Sequence, residues 1–115
     1  MEKNVEISML CQIYGKLLTK KQFEFINDYY NNDLSLSEIA ENYNITRQAV
    51  RDNIKKGEHK LFEFEAKLNI MKKTLQQEQK IAEILYKITK IKEKSSDKQV
   101  AHILNEVKCE LNCLF

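Results

Sequence analysis

The chain has 115 residues, 31% of them charged, with a formal net charge of +2. That length suits one domain with a modest core, and the charge balance falls short of the strongly basic composition of a dedicated nucleic-acid binder. Nothing resembles a signal peptide or the roughly 18-residue apolar run of a membrane span, and three cysteines without paired spacing fit a reducing cytosol better than a disulfide scaffold.

With no Pro and only two Gly, the chain is expected to be nearly all helix. Ile7, Leu10, Ile13, Tyr14, Leu17 and Leu18 form a first amphipathic stripe. "LTKKQ" restarts the chain with Thr19 as N-cap, and Phe23, Phe25, Ile26, Tyr29 and Tyr30 give the next helix its apolar content. "NNDLS" breaks it, Ser37 is expected to cap a short helix over "EIAENY", and Thr46 caps another. From Arg47 the pattern runs on through Leu61, Phe62, Phe64 and Leu68, with a break or bend predicted at "LNIM". Leu75, Ile81, Ile84, Leu85, Ile88 and Ile91 then mark a long helix with a narrow seam. "KEKSSDKQ" is a boundary where Ser96 and Gln99 read as a capping box, before a last helix carrying Val100, Ile103, Leu104, Val107, Leu111 and Leu114 on one face.

The stretch from Ile39 to Gly57 meets the requirements of a helix-turn-helix in order. A small residue, Ala40, allows the second helix to cross the first. Four positions later the chain must turn sharply, usually through a left-handed conformation, and Asn44 tolerates that better than any residue but Gly. Ile45 plugs the turn and Thr46 caps the second helix. Val50 and Ile54 then face inward at i and i+4, opposite Ile39 and Tyr43, and Gly57 extends the buried face.

"LTKKQFEFINDYYNNDLSLSEIAENYNITRQAVRDNIKKGEHKL" resembles region 4 of bacterial sigma factors, the domain that reads a promoter element. More closely, "LSLSEIAENYNITRQAVRDNIKK" with the following "LFEFEAKL" resembles the YlxM family of small bacterial helix-turn-helix proteins, from about Ile13 to Leu68. The resemblance implies a helix-turn-helix fold and an association with the signal recognition particle pathway.

With Val50, Ile54 and Gly57 inward, the outward residues are Arg47, Gln48, Arg51, Asp52, Lys55 and Lys56. The N-terminal residues of a recognition helix meet base edges, so Arg47, Gln48 and Arg51 are the expected readers. Lys55, Lys56 and Lys60 suit phosphates. Thr46 to Lys60 carries a local +3, whereas Thr19 to Ile45 carries a local −3, and from Met1 to Lys60 nine bases meet nine acids. Since duplex affinity comes largely from neutralised phosphates, a single copy is expected to bind weakly.

A second basic stretch runs from Met71 to Lys94, seven Lys against three Glu. It reads either as a solvated helix face or as a contact to RNA or a phosphate backbone. The seam beside it has the near-heptad spacing of paired helices and could pack on the last helix or on a second copy. His102, Glu106, Cys109 and Cys113 share one helical arc, but about 16 Å separates its ends at 1.5 Å per residue, too far for one zinc ion. No Gly-rich phosphate loop, nucleophile elbow or His–acid motif suggests catalysis.

The expectation is therefore an all-α protein, neither an enzyme nor a cofactor or metal binder. A sigma-region-4-like helix-turn-helix occupies residues 1–68. A long helical C-terminal extension over 69–115 serves as a dimerisation or packing hairpin. The chain is expected to be cytoplasmic and homodimeric, and two roles remain open: a regulatory protein of the signal recognition particle pathway that binds nucleic acid or the particle's RNA or protein, or alternatively a sequence-specific DNA-binding transcriptional regulator unrelated to the particle. Neither involves a membrane.

Overall fold

Caps and left-handed residues set the ends of the helices in the computed structural model, which describes residues 1–114. Helix α1 (Lys3–Tyr14) passes into a 3-10 turn (Gly15–Leu17), and α2 (Lys20–Tyr30) follows. The tighter turn breaks the 3.6-residue period, so Leu17 leaves the apolar stripe and is 58% exposed while Leu18 returns to the core. At Thr19 a full capping box forms: its hydroxyl accepts from the Gln22 N–H (3.2 Å) and the Gln22 side chain accepts from the Thr19 N–H (3.1 Å).

After α2 the chain turns through Asp33, a left-handed residue with φ 55°, into α3 (Leu36–Tyr43). Ser35, not Ser37, caps this helix. Its hydroxyl accepts from the Glu38 N–H (3.1 Å), and the Glu38 carboxylate accepts from the Ser35 N–H (3.2 Å). Only Ser35 lies three residues before a carboxylate, the spacing the reciprocal bond requires. The long α4 (Arg47–Leu68) ends at Asn69, also left-handed with φ 55°, whose N–H reaches back to the Glu65 carbonyl (2.8 Å). This is the break expected at "LNIM", made by one residue, and α5 (Ile70–Lys94) starts directly after it. The last helix, α6 (Lys98–Asn112), is capped by Asp97 rather than Ser96. The Asp97 carboxylate accepts from the Gln99 N–H at 2.9 Å, and a charged acceptor gains from the helix dipole where a hydroxyl does not. The described residues contain no strand, and no helix among them is long and apolar enough to cross a membrane.

Two units divide the chain, one from Met1 to Met71 and one from Lys72 onward. In the first, α4 is the central element and packs on α1, α2 and α3. It buries Val50, Ile54, Gly57 and Leu61 at helical spacing, against a core of Ile7, Leu10, Tyr14, Phe25, Ile26 and Ile39. Gly57 permits the close crossing of α2, since a Cβ there would sit 2.6 Å from Ile26 Cδ1 and 3.3 Å from Gln22 Cβ. In the second unit α5 and α6 form an antiparallel hairpin joined by Ser95–Asp97. Lys92 donates to Asn105 Oδ1 (2.6 Å), and Ile88 and Leu104 line one groove between the helices. Ile81 and Ile88 are its buried residues, and α6 buries none among the described residues. Phe115, expected to need cover with Leu114, lies outside the described residues.

Candidate nucleic-acid interface

Three residues, Asn44 to Thr46, separate α3 from α4. Asn44 has φ 55° and ψ 46°, the left-handed conformation that its short polar side chain tolerates. The Ile45 N–H bonds to the Ala40 carbonyl (3.0 Å) and the Asn44 N–H to the Glu41 carbonyl (3.3 Å). Together these make a Schellman closure, which satisfies two of the carbonyls a helix end otherwise leaves open. Ala40 is buried and Ile45 half-buried beneath the turn. The Thr46 hydroxyl accepts from the Ala49 N–H (3.1 Å) and starts α4. Each device expected here from the sequence is present, with one change: Tyr43 is 38% exposed rather than inward. Its ring lies edge-on to Phe25, with centroids 4.8 Å apart, and its hydroxyl donates to Glu24 (3.1 Å). The phenol thus keeps a polar partner while the ring packs.

The turn fixes which face of α4 looks outward. Arg47, Gln48, Arg51, Asp52, Lys55, Lys56 and His59 are exposed, opposite the buried Val50, Ile54 and Gly57. Arg47, Arg51, Lys55 and Lys56 form no ion pair with another described residue, so their donors are open to a ligand. Gln48 instead donates to Asp52 Oδ1 (2.9 Å) across one turn, which orients its amide and occupies the acid that stands among the N-terminal residues of this face. Lys60 is half-buried and donates to Gln22 Oε1 (3.2 Å). It lines one groove with Lys55, Lys56 and His59, on the side where α2 meets α4.

Three tyrosine–glutamate hydrogen bonds hold the unit around α4, and sequence reading found none of them. Tyr14 on α1 donates to Glu65 (2.7 Å), Tyr30 on α2 to Glu58, and Tyr43 on α3 to Glu24 on α2. The Tyr14 hydroxyl also accepts from the Ile70 N–H (3.2 Å), and Glu65 accepts from the Met71 N–H (2.9 Å). These two side chains therefore cap the start of α5. Burial, then the hydrogen bond to glutamate, pushes all three phenols above the ordinary tyrosine value. Burial likewise pushes the Cys11 thiol up. His102 sits 3.0 Å from Glu106, Cys109 and Cys113 are exposed, and no group of three metal-ligating side chains comes together among the described residues.

A short helix, a left-handed three-residue turn and a second helix with one exposed cationic face make a helix-turn-helix protein of all-α class. Residues 1–106 match the family model UPF0122, described as "Putative helix-turn-helix protein, YlxM / p13 like", and the chain belongs to that family. A UPF0122 protein of Acetivibrio thermocellus is 48% identical over 107 residues, covering 93% of this chain and 92% of the relative. One from Clostridium acetobutylicum is 38% identical over 112 residues, 97% of each. Another, from Clostridium botulinum, is 41% identical over 110 residues, 96% of this chain and 98% of the relative.

Proposed function

We propose that the protein is a cytoplasmic regulator that binds duplex DNA through the exposed face of α4. Arg47, Gln48 and Arg51 read base edges, Lys55 and Lys56 hold phosphates, and Lys60 supports them from the flank. The observation that carries this reading is a pair of exposed arginines, without an ion pair to another described residue, at the N-terminal end of a helix that starts from a left-handed Asn44. Arginine forks match guanine edges in the major groove, and a helix N-terminus is the part of a recognition helix that reaches them. Because bases and acids balance up to Lys60, one copy supplies little net phosphate neutralisation, and a homodimer formed through the C-terminal hairpin would present two recognition helices.

The test is a pair of substitutions measured on selected duplexes. Arg51→Ala should weaken binding by about 1–3 kcal/mol and relax the preference at one base position. Lys56→Ala should weaken all sequences alike and reduce the salt slope by about 1. Equal and small effects from both would mean that α4 reads no sequence. The charge balance of the first 60 residues favours a second reading, an accessory of the signal recognition particle in which the helix-turn-helix is a scaffold. Nucleic acid cross-linked to the protein in cells separates the two, since promoter fragments support the first and particle RNA the second.

A further inference from the structure

The lysines of α5 fall into a row that the helix-turn-helix does not use. Lys73, Lys80, Lys87 and Lys94 stand seven residues apart along one helix, and all four are exposed. Seven residues are nearly two turns, so the four ammonium groups share one face at intervals of about 10.5 Å along the axis. Lys90 borders the same face beside Tyr86, with its ammonium 5.4 Å from the ring centroid. Lys73, Lys87 and Lys94 make no ion pair with another described residue, and Lys80 meets Glu83 only at 3.8 Å, with both side chains more than half exposed. Glu78 and Glu93 lie well round the helix from the row, at about 100° per residue.

A helix face tuned only for solubility alternates its signs, because i,i+4 pairs of opposite charge support a helix and like pairs oppose it. Glu83 stands on this face between Lys80 and Lys87, but beyond it Lys87, Lys90 and Lys94 follow one another at i+3 and i+4, like-charge spacings that work against the helix end until an anion faces it. The row spans about 32 Å at 1.5 Å per residue, close to the roughly 34 Å of one turn of B-form duplex. It holds no Arg, Asn or Gln fork for a base edge on its four heptad positions, so it suits phosphates and not sequence. A single strand would call for several aromatic stacking platforms, and Tyr86 is the one aromatic of α5.

We propose that α5 is a second nucleic-acid surface, a sequence-blind rail for the phosphate backbone of a duplex that acts independently of α4. The test uses the full chain carrying Lys73→Gln, Lys80→Gln, Lys87→Gln and Lys94→Gln together, changes that keep helix propensity. A duplex DNA and a duplex RNA of arbitrary sequence, each about 30 bp, are titrated from about 50 to 200 mM salt. Each phosphate contact contributes about 0.9 to the salt slope on B-form DNA, so the wild type should lose on the order of 100-fold more affinity across that range than the variant. The four Lys→Arg changes should retain the wild-type slope. The same drop in an Arg47→Ala, Arg51→Ala background would support a surface separate from α4, whatever becomes of the DNA-reading role. A drop on one duplex type alone names the source as DNA or RNA. An unchanged slope on both duplexes, with helicity intact by circular dichroism, overturns the proposal and leaves a solvated face. Loss of binding to phosphatidylserine vesicles in place of any duplex effect overturns it too. If the fourfold variant loses helicity, the Lys73→Gln, Lys87→Gln pair is read on the same scale, with half the change in slope expected.

Discussion

From Met1 to Met71, eight large side chains, among them Tyr14, Phe25, Leu10 and Leu61, are less than 2% exposed. Among the described residues from Lys72 onward Ile81 and Ile88 are the buried ones, at 5% and 9%, while Tyr86, Ile91, Ile103 and Leu114 are more than half exposed. Both units are built of amphipathic helices, and side-chain caps occur in each, at Thr19, Ser35 and Thr46 in the first and at Asp97 in the second, so propensity does not distinguish them. The difference is the number of layers. Three helices pack on the inner face of α4, whereas among the described residues of the hairpin α6 buries none and α5 buries only Ile81 and Ile88 beyond Met71. Two helices of this length rarely bury enough apolar surface to be stable alone. The helix-turn-helix unit therefore carries the stability of its own fold, and the hairpin leaves apolar side chains such as Ile91 and Ile103 in contact with solvent.

The largest expected effect comes from matched truncations in the two units. Phe25→Ala should destabilise the first unit by about 3–5 kcal/mol, because a fully buried ring leaves a cavity. Leu104→Ala, at a half-buried site on α6, should remove less than about 1 kcal/mol. Urea unfolding followed by amide exchange in each unit measures both. Similar losses would break the comparison and mean that the hairpin is covered in solution.

Next in size is the Tyr14–Glu65 pair. Tyr14→Phe removes the acceptor of the Ile70 N–H and a donor to Glu65, and should cost about 1–3 kcal/mol in the first unit. The same contacts predict an alkaline limit. Tyr14, Tyr30 and Tyr43 are held above their ordinary value of 10.0 in the fold, so above that pH the folded chain keeps protons that the unfolded chain releases. The stability they contribute is complete below pH 10 and is lost as pH rises through the raised folded values. Unfolding free energy of the first unit should therefore fall above about pH 10, and less steeply in Tyr14→Phe. A flat alkaline profile would remove the tyrosine clamps as a source of stability.

Asn44 comes third. Asn44→Val should destabilise by about 1–2 kcal/mol because a branched Cβ clashes in the left-handed region, and Asn44→Gly should be neutral or slightly stabilising. A thermal shift without this ordering would mean that the turn relaxes away from φ 55°.

The contrast between Asn44 and Tyr14 also explains what could be read from the sequence. The turn was legible because its parts, Ala40, Asn44, Ile45, Thr46 and Val50, interact within ten residues, where spacing alone decides geometry. The exposed face of α4 followed from the same register. The Ser35 cap was also local and visible: the Ser-x-x-Glu spacing to Glu38 was present, and Ser37 drew the reading two residues too far. At the last helix the spacing rule pointed to Ser96, and a neighbouring carboxylate outcompeted it. The tyrosine clamps had no local signal, since their partners lie 19 to 51 residues away. So too with Lys60, a phosphate candidate by position that turns out to be tied to Gln22, 38 residues earlier.

The smallest expected effect probes whether the outer face of α6 meets solvent. His102 and Glu106 lie 3.0 Å apart, with side chains 74% and 62% exposed. The pair is ionic only when the imidazole is protonated. Its order along the helix, cation before acid, is the weaker of the two i,i+4 arrangements. Exposure and side-chain entropy reduce such a pair further, so His102→Ala should change stability by less than about 0.5 kcal/mol. Measured by thermal unfolding at low and high protein concentration, the change should be small and equal at both. A larger loss confined to high concentration would show that a second copy buries this face. The open flank of the hairpin would then be half of an interface, and the burial that separates the two units in one copy would be restored by the second.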